Sequence, residues 1–361
     1  MLHAQTPVYQ MIEPYTALGI EDGREHSVSL DEVATVDPFT GMLQVRHTDL
    51  EFPGVGPTIR VTRSFHSHPV RAAGGGAPVL RAPNLMAAGW DFHFGYVRFG
   101  DAAGGPTVNC DVFTPTPTAN RVPRIVFPDG RDMPLFQPTM ASGNPHHFVG
   151  SNGWVADCLT GAQNGFRVID PAGTIYLFTR WSVLSTDAAS QTFGYQLDEV
   201  RDVHGNALTF VYQAHPGLDE IRSISAADGR RVTFTYEPYL GGRRLREVRA
   251  FYNSTLRESW LYSYDPVPGV PGYSYLSSVD GPEGLSWSYT YETTMPGLHD
   301  IKTITSPFGA TKSFEYATRS VPNTSGLGTT VAVHRATWSG PRMPSAEWTY
   351  TYAPSATAGD L

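Results

Sequence analysis

Leu276-Ser-Ser-Val279-Asp-Gly-Pro-Glu-Gly284-Leu-Ser-Trp287-Ser-Tyr289-Thr-Tyr291 reads as a strand, a tight turn and a second strand. Gly and Asp tolerate the positive φ that hairpin turns demand. After the turn, Trp287, Tyr289 and Tyr291 alternate with Ser286, Ser288 and Thr290. That period of two is the signature of a half-buried strand with one aromatic face and one hydroxyl-bearing face.

The pattern recurs along the second half of the chain. Leu197-Asp-Glu-Val200 leads through Gly205 to Phe210-x-Tyr212, and Leu218-Asp-Glu-Ile221 through Gly229 to Phe234-x-Tyr236. Leu298-His-Asp-Ile301 leads through Gly309 to Phe314-x-Tyr316. Two looser units run from Leu245-Arg-Glu-Val248 to Tyr262-x-Tyr264 and from Val333 to Tyr350-x-Tyr352. With the first unit quoted, six share an aromatic-x-Tyr ending. A lone hairpin is marginal in water, so the repeats are expected to stack, burying their aromatic faces as one layer and pairing each other's edges. The fold class this predicts is all-β: antiparallel β-hairpin repeats forming a curved, spiralling sheet. The spacing of three between Leu and Val puts those side chains on opposite faces unless a bulge intervenes.

Composition agrees. Among 361 residues, 36 Gly and 29 Pro supply turn punctuation, while 18 Phe, 18 Tyr and 7 Trp supply apolar payload. These values exclude collagen-like, disordered and coiled-coil chains. A net charge of −8 argues against nucleic acid or an anionic membrane as partner. No apolar run approaches the ~18 residues that span a bilayer, and the start, Met1-Leu2-His3, has no leader pattern. Cys110 and Cys158, without CxxC spacing, favour reduced and partly buried thiols over a pair. The expectation is synthesis in a reducing compartment, or export by a route that leaves no leader.

Upstream of the repeats the text differs. Asp37-Pro-Phe-Thr-Gly41 is a turn before a strand-like run ending in Thr48-Asp49-Leu50. Pro53-Gly54-Val-Gly56 leads into Arg63-Ser-Phe-His-Ser67; Gly89-Trp90 and Asp170-Pro-Ala-Gly173-Thr-Ile-Tyr-Leu-Phe178 follow. In this order the strings resemble the module that precedes the repeats in Rhs, or YD-repeat, proteins of bacteria, over roughly residues 35–352. The Tyr-Asp pair that names the repeat survives only at Tyr264-Asp265. The division this suggests is residues 1–34 as an N-terminal extension, 35–190 as an Rhs-type β module, 191–352 as YD-like hairpins and 353–361 as a tail.

The resemblance implies a β-ribbon that spirals into a shell around a C-terminal toxin or effector, delivered to rival bacteria or a host. Implied partners are that cargo or further repeat strands of the same protein, with a secretion-system component. The family's terminal plug and its aspartate self-cleavage site cannot be placed in this sequence. A binding module of another class would instead hold cell-surface glycan on exposed aromatics, of which Trp260, Trp287 and Trp348 are the candidates.

Catalytic, cofactor and metal residues are not found, and the chain reads as no enzyme. HExxH, Walker-type and Gly-x-Ser-x-Gly patterns are absent from the sequence. His146-His147, as neighbours on extended chain, point apart and make a poor metal pair. His66 and His68 lack a companion Cys or carboxylate. Asp198-Glu199 and Asp219-Glu220 occupy corresponding repeat positions and read as solvated edge residues. Asn253-Ser-Thr and Asn323-Thr-Ser fit a glycosylation triplet that arises often by chance. A further expectation is an unpaired, aromatic-rich edge after the last repeat, so that the isolated chain self-associates. Light scattering at micromolar concentration checks this, and a stable monomer counts against it.

Overall fold

The computed structural model describes residues 28–29, 34–38, 40–67, 86–87, 89–99, 123–138, 145–159, 164–183, 193–214, 219–239, 242–268, 273–293, 300–323, 326–341 and 343–352. Among these the regular structure is β throughout, with two short 3-10 turns. A first sheet of five strands comprises β1 (Val28–Ser29), β2 (Ala34–Val36), β3 (Leu43–Phe52), β4 (Ile59–His66) and β5 (Trp90–Asp91), paired in chain order.

The second sheet begins with β6 (Tyr96–Phe99), β7 (Arg124–Val126), β8 (Asp132–Pro134), β9 (Phe148–Val149), β10 (Val155–Leu159), β11 (Gly165–Ile169), β12 (Ile175–Val183) and β13 (Phe193–Arg201). These eight form a ring. Phe136 bridges Val149 to join β8 to β9, and Phe193–Gln196 of β13 pair back onto Tyr96–Phe99 of β6. The other end of β13, Glu199–Arg201, pairs with β14 (Ala207–Gln213). One strand therefore serves both ring and ribbon.

From β14 the ribbon continues as an antiparallel meander: β15 (Glu220–Ala226), β16 (Arg230–Tyr239), β17 (Gly242–Tyr252), β18 (Thr255–Pro266), β19 (Ser274–Asp280), β20 (Ser286–Tyr291), β21 (Ile301–Thr305), β22 (Thr311–Asn323), β23 (Gly326–Gly340) and β24 (Met343–Thr349).

Each repeat is built on a β-bulge. Pairing steps from Val211↔Ser223 to Tyr212↔Ile221, leaving Arg222 as the extra residue. The same step leaves Arg246, Ser277, Lys302 and His334 unmatched, opposite Tyr236, Tyr264, Tyr291 and Tyr316. Asp198 is the equivalent residue opposite Phe178. An extra residue rotates the strand by one position, so residues three apart both turn inward. Ile221 and Ile224, Leu245 and Val248, Leu276 and Val279, and Ile301 and Ile304 are all buried.

The tyrosine facing each bulge closes the unit. The hydroxyls of Tyr212, Tyr236, Tyr291 and Tyr316 donate to the carbonyls of Leu197, Ile221, Leu276 and Ile301, each 15 residues upstream, at 2.6–3.0 Å. Tyr264 and Tyr352 reach Leu245 and Val333, 19 residues upstream, at 2.6 Å. In the same register each tyrosine except the last lies opposite the anchor residue of the next unit. A buried phenol needs such a partner.

These bonds correct the repeat boundaries. The anchors of the second and fifth units are Ile221 and Ile301, not Leu218 and Leu298, which lie outside the described residues. Asp219-Glu220 therefore precedes its anchor and does not correspond to Asp198-Glu199. Asp219 and Glu220 are buried rather than solvated. Arg180 Nε donates to Asp219 Oδ2 at 2.5 Å, and Arg243 lies 3.7 Å from Glu220. Asp198 is half-buried and accepts from the Thr179 hydroxyl.

Removing one of the relay hydroxyls leaves a buried carbonyl unsatisfied. Tyr236→Phe and Tyr316→Phe should each lower stability by about 1–3 kcal/mol in urea denaturation. Burial also pushes the phenols of Tyr212, Tyr236, Tyr264 and Tyr291 above their ordinary range. The neutral phenol is the form the fold favours. Stability should be fully present below the model-peptide phenol value near 10 and fall as pH rises beyond it. Urea midpoints measured across that range check the fall, and Tyr→Phe variants should flatten it.

Candidate functional site

The first sheet lies across the aromatic face of the ribbon, fastened at three places. At one end the Pro53–Pro57 turn between β3 and β4 is gripped by the second repeat. Buried Arg230 donates to the carbonyls of Phe52, Pro57 and Val55 at 2.7, 3.1 and 3.1 Å, while Asp228 accepts from the Val55 amide at 2.9 Å. A Cβ on Gly54 would come within 2.2 Å of Arg230 Nε, so only glycine permits this approach. At the far end the turn before β3 meets the sixth repeat, where the Val333 amide donates to the Gly41 carbonyl at 2.9 Å.

The third fastening is a buried charge hub. Asp49 is itself the extra residue of a bulge: Thr48 pairs with Thr62 and Leu50 with Val61, so both Asp49 and Leu50 turn inward. Arg63 Nε donates to both Asp49 oxygens at 3.0 and 2.9 Å, and Nη1 donates to the Tyr289 hydroxyl at 2.5 Å. Tyr262 donates to Asp49 at 2.7 Å, and His47 Nδ1 lies 3.0 Å from the same carboxylate. The guanidinium carbon sits 4.9 Å from the Trp90 ring centre and 5.2 Å from that of Tyr289. Trp90 Nε1 donates to the Tyr291 hydroxyl at 2.8 Å, tying the hub to the tyrosine relay. Thr48-Asp49-Leu50, Arg63-Ser-Phe-x-Ser67 and Gly89-Trp90 thus converge at one point, with Ser67 Oγ accepting from the Leu43 amide at 2.7 Å.

The electrostatics follow from burial. Desolvation pushes the Asp49 carboxyl up, but the Arg63 guanidinium and the His47 hydrogen bond outweigh it and hold the group below its usual range. Burial lowers His47, against the opposing pull of its Asp49 hydrogen bond. Tyr289, buried beside Arg63, is pushed up to about 12. With both charges enclosed and paired, this is an arrangement that locks two sheets together; the hub offers no open face to a substrate.

The other candidate residues sit as follows. His146 and His147 do not diverge as extended neighbours would: they lie in a bend before β9 and both meet Asp157, at 3.0 and 3.3 Å. Among the described residues no group of three His, Cys, Asp or Glu is placed to hold a metal ion. His66 packs at the Gly130 turn, and His68 lies outside the described residues. Asn253 and Ser254, with φ of 47° and 68°, form the two-residue turn between β17 and β18. Asn323 ends β22. Trp260 is 6% exposed and so is no exposed stacking residue, while Trp287 and Trp348 pack partly buried against the core. Cys158 is disulfide-bonded, against the expectation of a reduced thiol; Cys110, the one other cysteine of the sequence, lies outside the described residues. No helix among the described residues is long and apolar enough to cross a membrane.

No family model matches the sequence, and no curated protein matches it. Solved structures do overlap in part. The N-terminal domain of the effector protein SpvB from Salmonella typhimurium is 13% identical with a TM-score of 0.40, over 65% of this chain and 98% of that one. TcdB2-TccC3 without its hypervariable C-terminal region is 12% identical with a TM-score of 0.44, over 82% of this chain and 17% of that one. The Photorhabdus luminescens Tc holotoxin pore is 11% identical with a TM-score of 0.43, over 84% and 20%. At these values no activity, cargo or partner passes from those proteins to this chain.

Breaking one side of the hub strands the other charge in the core. Asp49→Asn should cost about 3–5 kcal/mol, whereas Asp49→Leu combined with Arg63→Met should recover much of that loss. A double-mutant cycle in urea reads both. The folded state prefers neutral His47 and ionised Asp49. Their contributions should be complete above pH 6.5, begin to fall below it through His47, and fall again below 3.8 through Asp49. In His47→Gln the first decline should vanish.

Proposed function

We propose that this chain is a non-catalytic wall segment of an Rhs, or YD-repeat, protein, forming the sealed end of a shell whose continuing ribbon encloses a toxin or effector. The observation that carries this reading is that the ribbon's aromatic face is already covered by the chain's own first sheet. The hub, the Arg230 grip and the Gly41 contact hold that sheet against the second, third, fourth and sixth repeats. A cavity beside the first repeat measures about 580 Å³. A 100-residue domain has a radius of gyration near ~13 Å and needs more than ten times that volume. On this reading enclosure falls to further ribbon, and this part closes one end.

The eight-strand ring supports the same reading, since closure removes the free edges at which a sheet would otherwise pair indiscriminately. The ribbon leaving β13 repeats one bulge-and-tyrosine device in units of different length and can be lengthened without new chemistry. The implied partners are the same protein's later strands, its cargo and the machinery that exports it.

The test is to append a second copy of residues 273–323, two complete repeats, after Leu361 and follow amide hydrogen exchange. A wall that accepts further units should protect the added tyrosine strands as strongly as their originals. Added units that exchange as free peptide would overturn the wall reading. An unstructured, protease-labile tail fused after Leu361 should be cut as fast as the free peptide. A protected tail would make this chain a container in its own right and overturn the sealed-end assignment.

A further inference from the structure

The cavity of about 580 Å³ lies where the start of β4, the turn between β7 and β8, Trp154, the start of β12 and the first repeat meet, with Phe94 and Ile224 of the second repeat completing it. Its deep wall is apolar. Phe94, Phe178, Phe210 and Ile224 line it and are each less than 9% exposed. Trp154 stands on the side wall, edge-on to Phe127 at 5.3 Å and tilted against Tyr176 at 5.5 Å.

Protein interiors packed to crystal density leave few voids larger than a water molecule. Buried water needs two to four polar partners, and the four deep side chains offer none. A volume of this size matches the range of small-molecule sites, which are mostly apolar with a few polar groups at the rim. The polar lining includes Thr58, Thr62, Thr174, Asp129, Asp202 and two exposed arginines. Both arginines are already matched: Arg60 Nε and Nη2 reach Glu51 at 3.0 and 2.8 Å, and Arg131 Nε reaches Asp129 at 2.7 Å. Asp202 accepts from the His204 and Asn206 amides at 2.9 Å and from Asn206 Nδ2 at 2.8 Å, so its carboxylate is committed to the turn after β13 and the apolar deep wall decides what the cavity can take.

We propose that this cavity is a binding site for an uncharged, mainly apolar small molecule with an aromatic or branched body and at most one polar end. The ligand would replace the missing core at the junction of first sheet, ring and ribbon, and so couple occupancy to the stability of that junction. The proposal does not depend on the chain belonging to a shell.

The probe is N-phenyl-1-naphthylamine, neutral and apolar, titrated into the full chain. The expected result is saturable binding of one probe per chain, with energy transfer from Trp154 when tryptophan is excited. Trp154→Phe should keep binding under direct excitation while losing most of the transferred emission. Ile224→Phe, which fills the void from its floor, should weaken binding by about tenfold or more and leave the melting temperature equal or higher. If Ile224→Phe does not fold, Leu208→Phe on the adjacent wall takes its place. The proposal is overturned if the folded chain shows no saturable binding. Transfer that is indifferent to Trp154, or unchanged affinity in a folded cavity-filling variant, overturns it equally.

Discussion

An extra residue in one strand, answered by a tyrosine hydroxyl from the next, is the constraint on which this molecule depends. Without the bulge, the anchor and the apolar residue three places later would face opposite ways, and one of them would be stranded in water. With it, both turn inward and the strand bends. The bend exposes an anchor carbonyl to the interior, and the unit's own tyrosine satisfies it. Curvature, burial and hydrogen bonding are thus settled together within each repeat, which is why six units of different length share one geometry.

The first sheet uses the same device once and to another end. Asp49, the spare residue of its own bulge, is turned into the core, where a carboxylate is tolerable only because Arg63 meets it through Nε and Tyr262 and His47 complete its shell. A buried pair of this kind adds little net stability over an apolar one. What it adds is registry: an Asp–Arg pair that needs Tyr262 and Tyr289 from two different repeats has one position on the ribbon where every partner is present.

Much of this was legible in the sequence. The alternation of aromatic and hydroxyl residues, the Asp and Gly hairpin tips and the six terminal tyrosines describe the ribbon before any coordinate. The anchors of the second and fifth repeats were harder, because Leu218, Ile221 and Ile224 follow one another at intervals of three and either register fits an apolar pattern. The count to the turn glycine separates them: Gly205 and Gly284 stand eight places after Leu197 and Leu276, as Gly229 and Gly309 do after Ile221 and Ile301. Asp219 and Glu220 look solvated until Arg180 and Arg243 are brought to them by strands far away in sequence. The hub left a fainter trace, since Arg63 shares strand parity with Ile59, Val61 and Phe65, all buried. Nothing local names its partner.

That partner is remote in time as well as in sequence. Arg63 and Tyr289 are separated by 226 positions. At a synthesis rate of about 5–20 residues per second, the first sheet emerges some 10–50 s before the strand that covers it exists. Throughout that interval a carboxylate, a guanidinium and the apolar face of β3 and β4 have only water or a chaperone for company. The ring has a shorter wait, because Tyr96 meets Gln196 after 100 further residues. The nascent chain therefore acquires its closed ring first and the cover for its opening sheet last, and the interval between the two is when it is most open to the wrong neighbour.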